Sequence, residues 1–385
     1  MKKFRKPLVF ALCALLGAGV GVLGARYGPA WAHPGGAWSR GQVLGLLLSL
    51  PLAWLLAVLL HELGHVAAGH WQSFRFYWLA VGPFMWKKKA GRVRFEWNKN
   101  LNTAGGMALS VPPDDHELRR RFIAFALGGP LASLVWAGVA IGLFALLPAA
   151  PGAGQVLMGT IGASGGISGL LVVLTLVPMQ LGGFSTDGAR AVALWRNGPA
   201  GQLELAVLAA TVRSIAGVRP RELQGPLLEA AAALPDELPF KLYVYHYLYL
   251  MALDAGATEA AGRHLAAYRD RLAQMPTAMH ASVWLESAFF AAAHQHDLAA
   301  ARAFQAQAQV TSFTPADLPA RVEAALARFA GEADRARAQA QLALQELPNN
   351  LDQGSAQHYA EWLNDTLEWA SQTDSNPGRM ALVLK

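Results

Sequence analysis

Between Gly41 and Leu60 no side chain is charged, and three other stretches share that property: Pro7–Ala25, Phe122–Leu147 and Val156–Leu181. About 20 apolar residues at about 1.5 Å each cross a bilayer. The pattern therefore predicts a chain that crosses a membrane about four times. The first stretch follows the basic Met1–Lys6 and also resembles a signal peptide, with a cleavage site at Ala30-Trp31-Ala32. Its 19-residue length favours a retained span. Pro51 is placed to kink the second span, which is expected over Gly41–His65. The fourth carries Gly159, Gly162, Gly165, Gly166 and Gly169. Small residues at such spacing let helices approach closely, and packing alone accounts for them.

Between the second and third spans the period changes. Phe74-Arg75-Phe76-Tyr77-Trp78, Lys87-Lys88-Lys89 and Arg92-Val93-Arg94-Phe95-Glu96-Trp97 alternate with period two around an Ala90-Gly91 break. That predicts a β-hairpin, with Asn102–Val111 as a strand-like continuation. Its Trp and Tyr suit a membrane interface.

From Ala200 the chain turns helical, Ala-rich and amphipathic. Three similar stretches turn near Gly256, His296 and Gly331, between an aromatic- or Leu-containing helix and an Ala-rich one. The spacing approaches the 34-residue period of tetratricopeptide repeats, so a tetratricopeptide-like helical domain is expected. His294 and His296 read as a solvated turn. The fold class expected is mainly α. It comprises a polytopic membrane domain with a β-hairpin between spans two and three, and a soluble α-helical repeat domain. The divisions fall at 1–40, 41–199 and 200–385.

Charge supports this split. Residues 1–199 carry a balance of +12 and residues 200–385 one of −6. The basic excess lies in loops of the membrane half, where it sets orientation, so nucleic-acid binding is not needed to explain it. The loops at Lys2–Lys6, Lys87–Lys99 and Arg119–Arg121 are expected on the cytoplasmic side. The one cysteine, Cys13, permits no intrachain disulfide.

The chemistry sits at the end of the second span, in His61-Glu62-Leu63-Gly64-His65. Residues four apart share a helix face, so His61 and His65 can hold one metal ion. Glu62, one residue round, is close enough to take a proton from a metal-bound water. Ionisable residues at membrane depth are functional candidates by default. Catalytic zinc usually takes a third protein ligand. The first acid downstream is Glu96, in the hairpin, and positions 68 and 71 are Ala and Trp, so two soluble-peptidase patterns fail. His70 lies about 180° round the helix from His61. Asp187 follows Pro178 and Gly182-Gly183, where the fourth span returns to the cytoplasmic face. It reads either as an interfacial aspartate at a helix start or as the third ligand, and its depth favours the ligand.

His61-Glu62-Leu63-Gly64-His65, Gly129-Pro130 and Pro178…Asp187-Gly188 together resemble the site-2 protease family of intramembrane zinc metalloproteases, over about residues 41–198. The resemblance implies a three-span core, here the second to fourth spans. It implies one Zn2+ per chain on His61, His65 and Asp187, with Glu62 as general base. It also implies that the hairpin within Phe74–Val111 presents substrate in extended form. Thr175 and Ser133 stand where the family often has asparagine.

The expected activity is hydrolysis of a peptide bond in or near a transmembrane segment of a membrane protein or peptide. The expected location is a bacterial inner membrane, with lipid around the spans and the C-terminal domain in the cytoplasm, open to a protein partner. A rival reading is a catalytically silent, membrane-anchored scaffold that binds a partner through its C-terminal repeats; the intact Glu62 speaks against it. A structural zinc site with four protein ligands lacks a fourth candidate at the right depth.

Overall fold

The computed structural model describes residues 38–89, 91–98, 105–147, 152–181, 184–238, 240–311 and 313–375. The first apolar stretch, Pro7–Ala25, lies outside them. Three helices among the described residues are long and apolar enough to cross a membrane: α1 (Arg40–Trp71), α2 (Leu118–Leu146) and α3 (Ala153–Leu176). All three start before their expected limits, but only α1 also ends beyond them; α3 stops at Leu176, short of the expected Leu181. α1 continues through Pro51 and past His65 to Trp71. α2 takes in Arg119–Arg121, and Arg121 is held there by Asp114 at 2.7 Å and the Gln72 carbonyl at 2.9 Å.

The contacts divide the chain into two compact units, one of residues 1–60 and 133–172 and the other of residues 61–132 and 173–385. In the first, helices meet through small and polar side chains. Gly159 lies under Trp38, Gly162 against Phe144 and Gly165 against Ala140, while Gly166 faces open space. Ser49 Oγ meets Thr160 Oγ1 at 2.6 Å, and Trp136 donates to Ser164 Oγ at 3.1 Å. Apolar side chains such as Leu48, Leu134 and Leu157 point outward, as a bilayer solvent requires.

The second unit holds the sheet and the remaining helices. The expected hairpin is half of a larger structure. β1 (Arg75–Val81), β2 (Phe84–Lys89), β3 (Arg92–Trp97) and β4 (Met107–Val111) form an antiparallel sheet in the order β3-β2-β1-β4. β2 and β3 turn at Gly91, as expected. The turn missed in the sequence is Gly82-Pro83, where Gly82 has φ 55°. It folds the aromatic run back on the lysines and leaves β4 at the sheet edge.

After β5 (Gln180–Leu181) and β6 (Phe184–Ser185), α4 (Asp187–Arg196) and α5 (Pro199–Ile215) lead into the C-terminal helices. Phe74, Val111, Phe122 and Phe125 share a core with Leu194, Ala209 and Val212, so α4 and α5 pack on the sheet and the start of α2. Next comes α6 (Gly225–Ala232), followed by α7 (Lys241–Asp254) paired with α8 (Thr258–Arg269). α9 (His280–Gln295) pairs with α10 (Leu298–Gln307), and α11 (Leu318–Ala330) with α12 (Ala333–Glu346). Helix α13 (Gln353–Ser375) closes the described chain. The turn residues Gly256, His296 and Gly331 all have positive φ, at 73°, 57° and 78°. Each lets the chain leave one helix and start its partner. His296 is exposed and stacks on Phe329 at 4.5 Å.

Candidate metal centre

His61, Glu62 and His65 are buried on one side of α1, while Leu63 is 40% exposed on the other. Two glycines let α2 come close enough to cover them. A Cβ on Gly64 would lie 2.4 Å from the Gly128 carbonyl oxygen, and one on Gly128 would lie 2.5 Å from that of Gly64. The two helices thus cross with their backbones in contact. Beside this crossing the His65 imidazole fills the space over Gly129.

The His65 ring is pinned by its Nδ1, 2.8 Å from the Phe125 carbonyl oxygen. A carbonyl only accepts, so Nδ1 carries the proton and Nε2 keeps its lone pair. The Gly129 N–H, 3.4 Å from the same Nδ1, is then a contact and not a bond. Histidines that bind metals characteristically fix their tautomer this way.

Asp187 arrives from the other end of the chain segment. Thr186 accepts from the Ala189 N–H at 3.3 Å and so caps α4. Its hydroxyl also donates to the Val177 carbonyl at 2.8 Å and accepts from the Met179 N–H at 3.1 Å. This one side chain ties the start of α4 to the segment that leaves α3. Gly188 is required beside it, because a Cβ there would lie 1.9 Å from the Leu176 carbonyl oxygen. Sequence reasoning found Asp187-Gly188 but missed Thr186. The signal was present as a Thr directly before an acidic helix start.

These elements bring three of the expected residues together. Asp187 Oδ2 lies 3.3 Å from His61 Nε2 and 3.5 Å from His65 Nε2. One ligand atom from each of the three falls within 4.8 Å of the others. The spacing discriminates between two uses. Charge-assisted N–H···O bonds close to about 2.7–2.9 Å. Ligands about 2.0–2.1 Å from a tetrahedral ion stand about 3.3–3.4 Å apart. The two separations from Asp187 are those of a tetrahedral edge, and two imidazoles with one carboxylate are a donor set that zinc accepts, so the residues fit the ion.

Glu62 does not belong to this trio. It accepts a hydrogen bond from the backbone N–H of Ala108, on edge strand β4. His70 is exposed and stays outside the cluster, as an unbroken helix requires. Glu96 lies on β3, away from the trio.

No curated protein and no solved structure matches the chain. The sequence pattern of peptidase family M50, whose members are zinc metalloproteases, matches residues 50–355 and so takes in α1 from Leu50 onward, the sheet, Asp187 and most of the C-terminal helices. With its apolar helices and its buried His61-His65-Asp187 cluster, the chain belongs to peptidase family M50, the site-2 protease family.

Proposed function

We propose that this protein hydrolyses a peptide bond in or near a transmembrane segment of a membrane protein or peptide. His61, His65 and Asp187 would hold one zinc ion, and Glu62 would act as general base. The observation that carries the proposal is the juxtaposition of Glu62 with both the three-ligand cluster and an edge strand. Zinc in such a site brings the pKa of water toward about 7 and polarises a carbonyl. Glu62, buried one residue from His61, accepts the proton of the attacking water and returns it to the leaving amine.

A membrane helix satisfies its backbone bonds internally and must unwind before it is cut. Among the described residues one side of β4 has no partner strand. An unwound segment that adds to this edge regains backbone hydrogen bonds. Ala108 links that edge directly to Glu62, so the added strand would run past the base.

The same reading places residues 200–385 on the cytoplasmic side of a bacterial inner membrane, as a tetratricopeptide-like module for a protein partner. Its support is the three helix pairs with left-handed turn residues. The test is Glu62→Gln in detergent-purified protein. General-base loss lowers cleavage by about 10²–10⁴-fold, and zinc content should stay that of the wild type. A Glu62→Gln variant that still cleaves a single-span substrate at the wild-type rate would refute the assignment.

A further inference from the structure

Asp187 is the first residue of α4, a helix of only 10 residues. Its carboxylate meets the imidazoles of His61 and His65 at one rotation of α4 about its own axis. A helix with its side chains is about 5–6 Å in radius, so a roll of about 10° carries a side-chain tip about 1 Å. Metal–ligand distances tolerate only about 0.2 Å. Thr186 and Gly188 fix where α4 starts. Ala191 and Leu194 are buried and hold the helix on its core. Apolar contact is non-directional, so it sets no single angle.

A directional contact is made one turn on. Arg190 lies three residues after Asp187, a neighbouring position on the helix surface. Its Nε forms an ion pair with Glu204 Oε1 of α5 at 2.6 Å. Glu204 is 3% exposed, and a carboxylate at that depth needs its partner. α5 is itself locked to α4, because a Cβ on Gly201 would lie 2.1 Å from the Ala193 carbonyl oxygen. The Arg190 guanidinium also lies over the Phe240 ring, 5.3 Å from its centre. Phe240 precedes α7 with φ 67°, a left-handed backbone that bulky residues seldom adopt. Such strain persists only where the surroundings over-determine it, and it clusters at functional sites. Arg190 is thus the point where α4, α5 and the start of α7 meet.

We propose that Arg190 is a positioning residue for the metal centre. Clamped by Glu204 and Phe240, it sets the roll of α4 and so the place of Asp187. It acts through Asp187 and not on the metal. The planar guanidinium pairs with a carboxylate and lies over a ring at once, which a lysine ammonium does less well. Phe240 brings the C-terminal helices into this clamp, so they take part in holding the site. The inference rests on the reading that Asp187 binds zinc.

The test is zinc affinity of the detergent-purified full chain, read by competition with a chelator. Co2+ loading is a second probe, because its visible absorption reports the geometry around the ion. Arg190→Met should lower zinc affinity by about 10–100-fold, the cost of losing support around a metal ligand. It should also change the shape of the Co2+ bands, with unchanged helical circular dichroism. Arg190→Lys should recover only part of the affinity. Arg190→Met strands Glu204 as a buried charge, so the double variant Arg190→Met/Glu204→Gln is measured beside it and should lose as much. Wild-type affinity in the double variant would trace the loss to the stranded charge and overturn the proposal, as would wild-type affinity in Arg190→Met. Arg321→Met breaks the pair with Glu286 among the C-terminal helices and should keep the wild-type affinity. An equal loss there would deny Arg190 any particular role. A wild type that takes up neither ion would sink the zinc reading and this inference together. A wild type that holds zinc, beside Arg190 variants that hold it as tightly, would sink this inference alone.

Discussion

Gly129 and His65 are fitted so closely that a Cβ on Gly129 would lie 2.3 Å from His65 Nε2, the atom that faces Asp187. The ring cannot swing aside freely, because the Phe125 carbonyl holds its Nδ1. Gly129→Ala should therefore displace a nitrogen proposed to bind the metal while leaving both helices formed. Loss of comparable support around a metal ligand costs about 10–100-fold in affinity. Zinc retention against a chelator should fall by that order, with unchanged helical circular dichroism. Gly138→Ala, which meets open space on the same helix, is the control. Equal retention in the two variants would refute the fit.

Asp187→Asn keeps the shape of the side chain and removes its charge. Stoichiometric zinc in the purified wild type should be largely lost in this variant. An Asp187→Asn protein that holds as much zinc as the wild type would show that the aspartate is only a helix-start residue.

Thr186 acts on the same centre from one residue away. Thr186→Val preserves volume but removes the cap of α4 and the bonds to Val177 and Met179. Cap removal costs about 0.5–2 kcal/mol, and here the loosened residue is next to Asp187, the proposed third ligand. Weaker zinc retention is expected in Thr186→Val, with recovery in Thr186→Ser. If Val and Ser variants behave alike, the hydroxyl has no such role.

Arg321 is a buried cation at the centre of a polar network among the C-terminal helices. Arg321 bonds Glu286 at 2.7 Å and Asp317 at 2.8 Å, and its guanidinium lies 3.3 Å from the centre of the Tyr359 ring. Arg321→Met leaves two buried carboxylates without their partner, a change that costs about 3–5 kcal/mol. Hydrogen exchange should accelerate in α9, α11 and α13 and not in α1. Unchanged protection in those helices would contradict the network.

Acid should loosen the same region. Burial pushes His294 down to about 4, with His358 and His296 adding repulsion. In the unfolded chain the residue takes its proton near 6.5. Between these values the unfolded state binds more protons, so stability falls as pH drops from about 6.5 toward about 4. Glu286, held below its ordinary value by Arg321, adds a loss only at lower pH, below about 4.5. Melting temperatures from pH 7.5 to 4.5 should decline in the wild type, and His294→Asn should flatten the upper part of that slope. Parallel curves would rule out His294 as the source.

The local features of this protein were legible in its sequence because they obey short periods. Uncharged runs marked α1, α2 and α3, and four-residue spacing put His61 and His65 on one face. The Ala90-Gly91 break marked the β2–β3 turn, and Gly256, His296 and Gly331 marked three helix junctions. What joins distant segments had no such signature. The pairing of β4 with β1, the contact of Ala108 with Glu62, the Gly64–Gly128 crossing and the Thr186 tie all bridge residues whose separation follows no period. Asp187 lies between these cases. Its chemistry and depth were visible in the chain, but its distance from His61 and His65 was set by where α4 starts relative to α3. A run of residues determines its own helix or strand through propensity and hydrophobic spacing. Which backbones can touch is decided only in the packed molecule, by glycines without a Cβ and by hydrogen bonds that close across it.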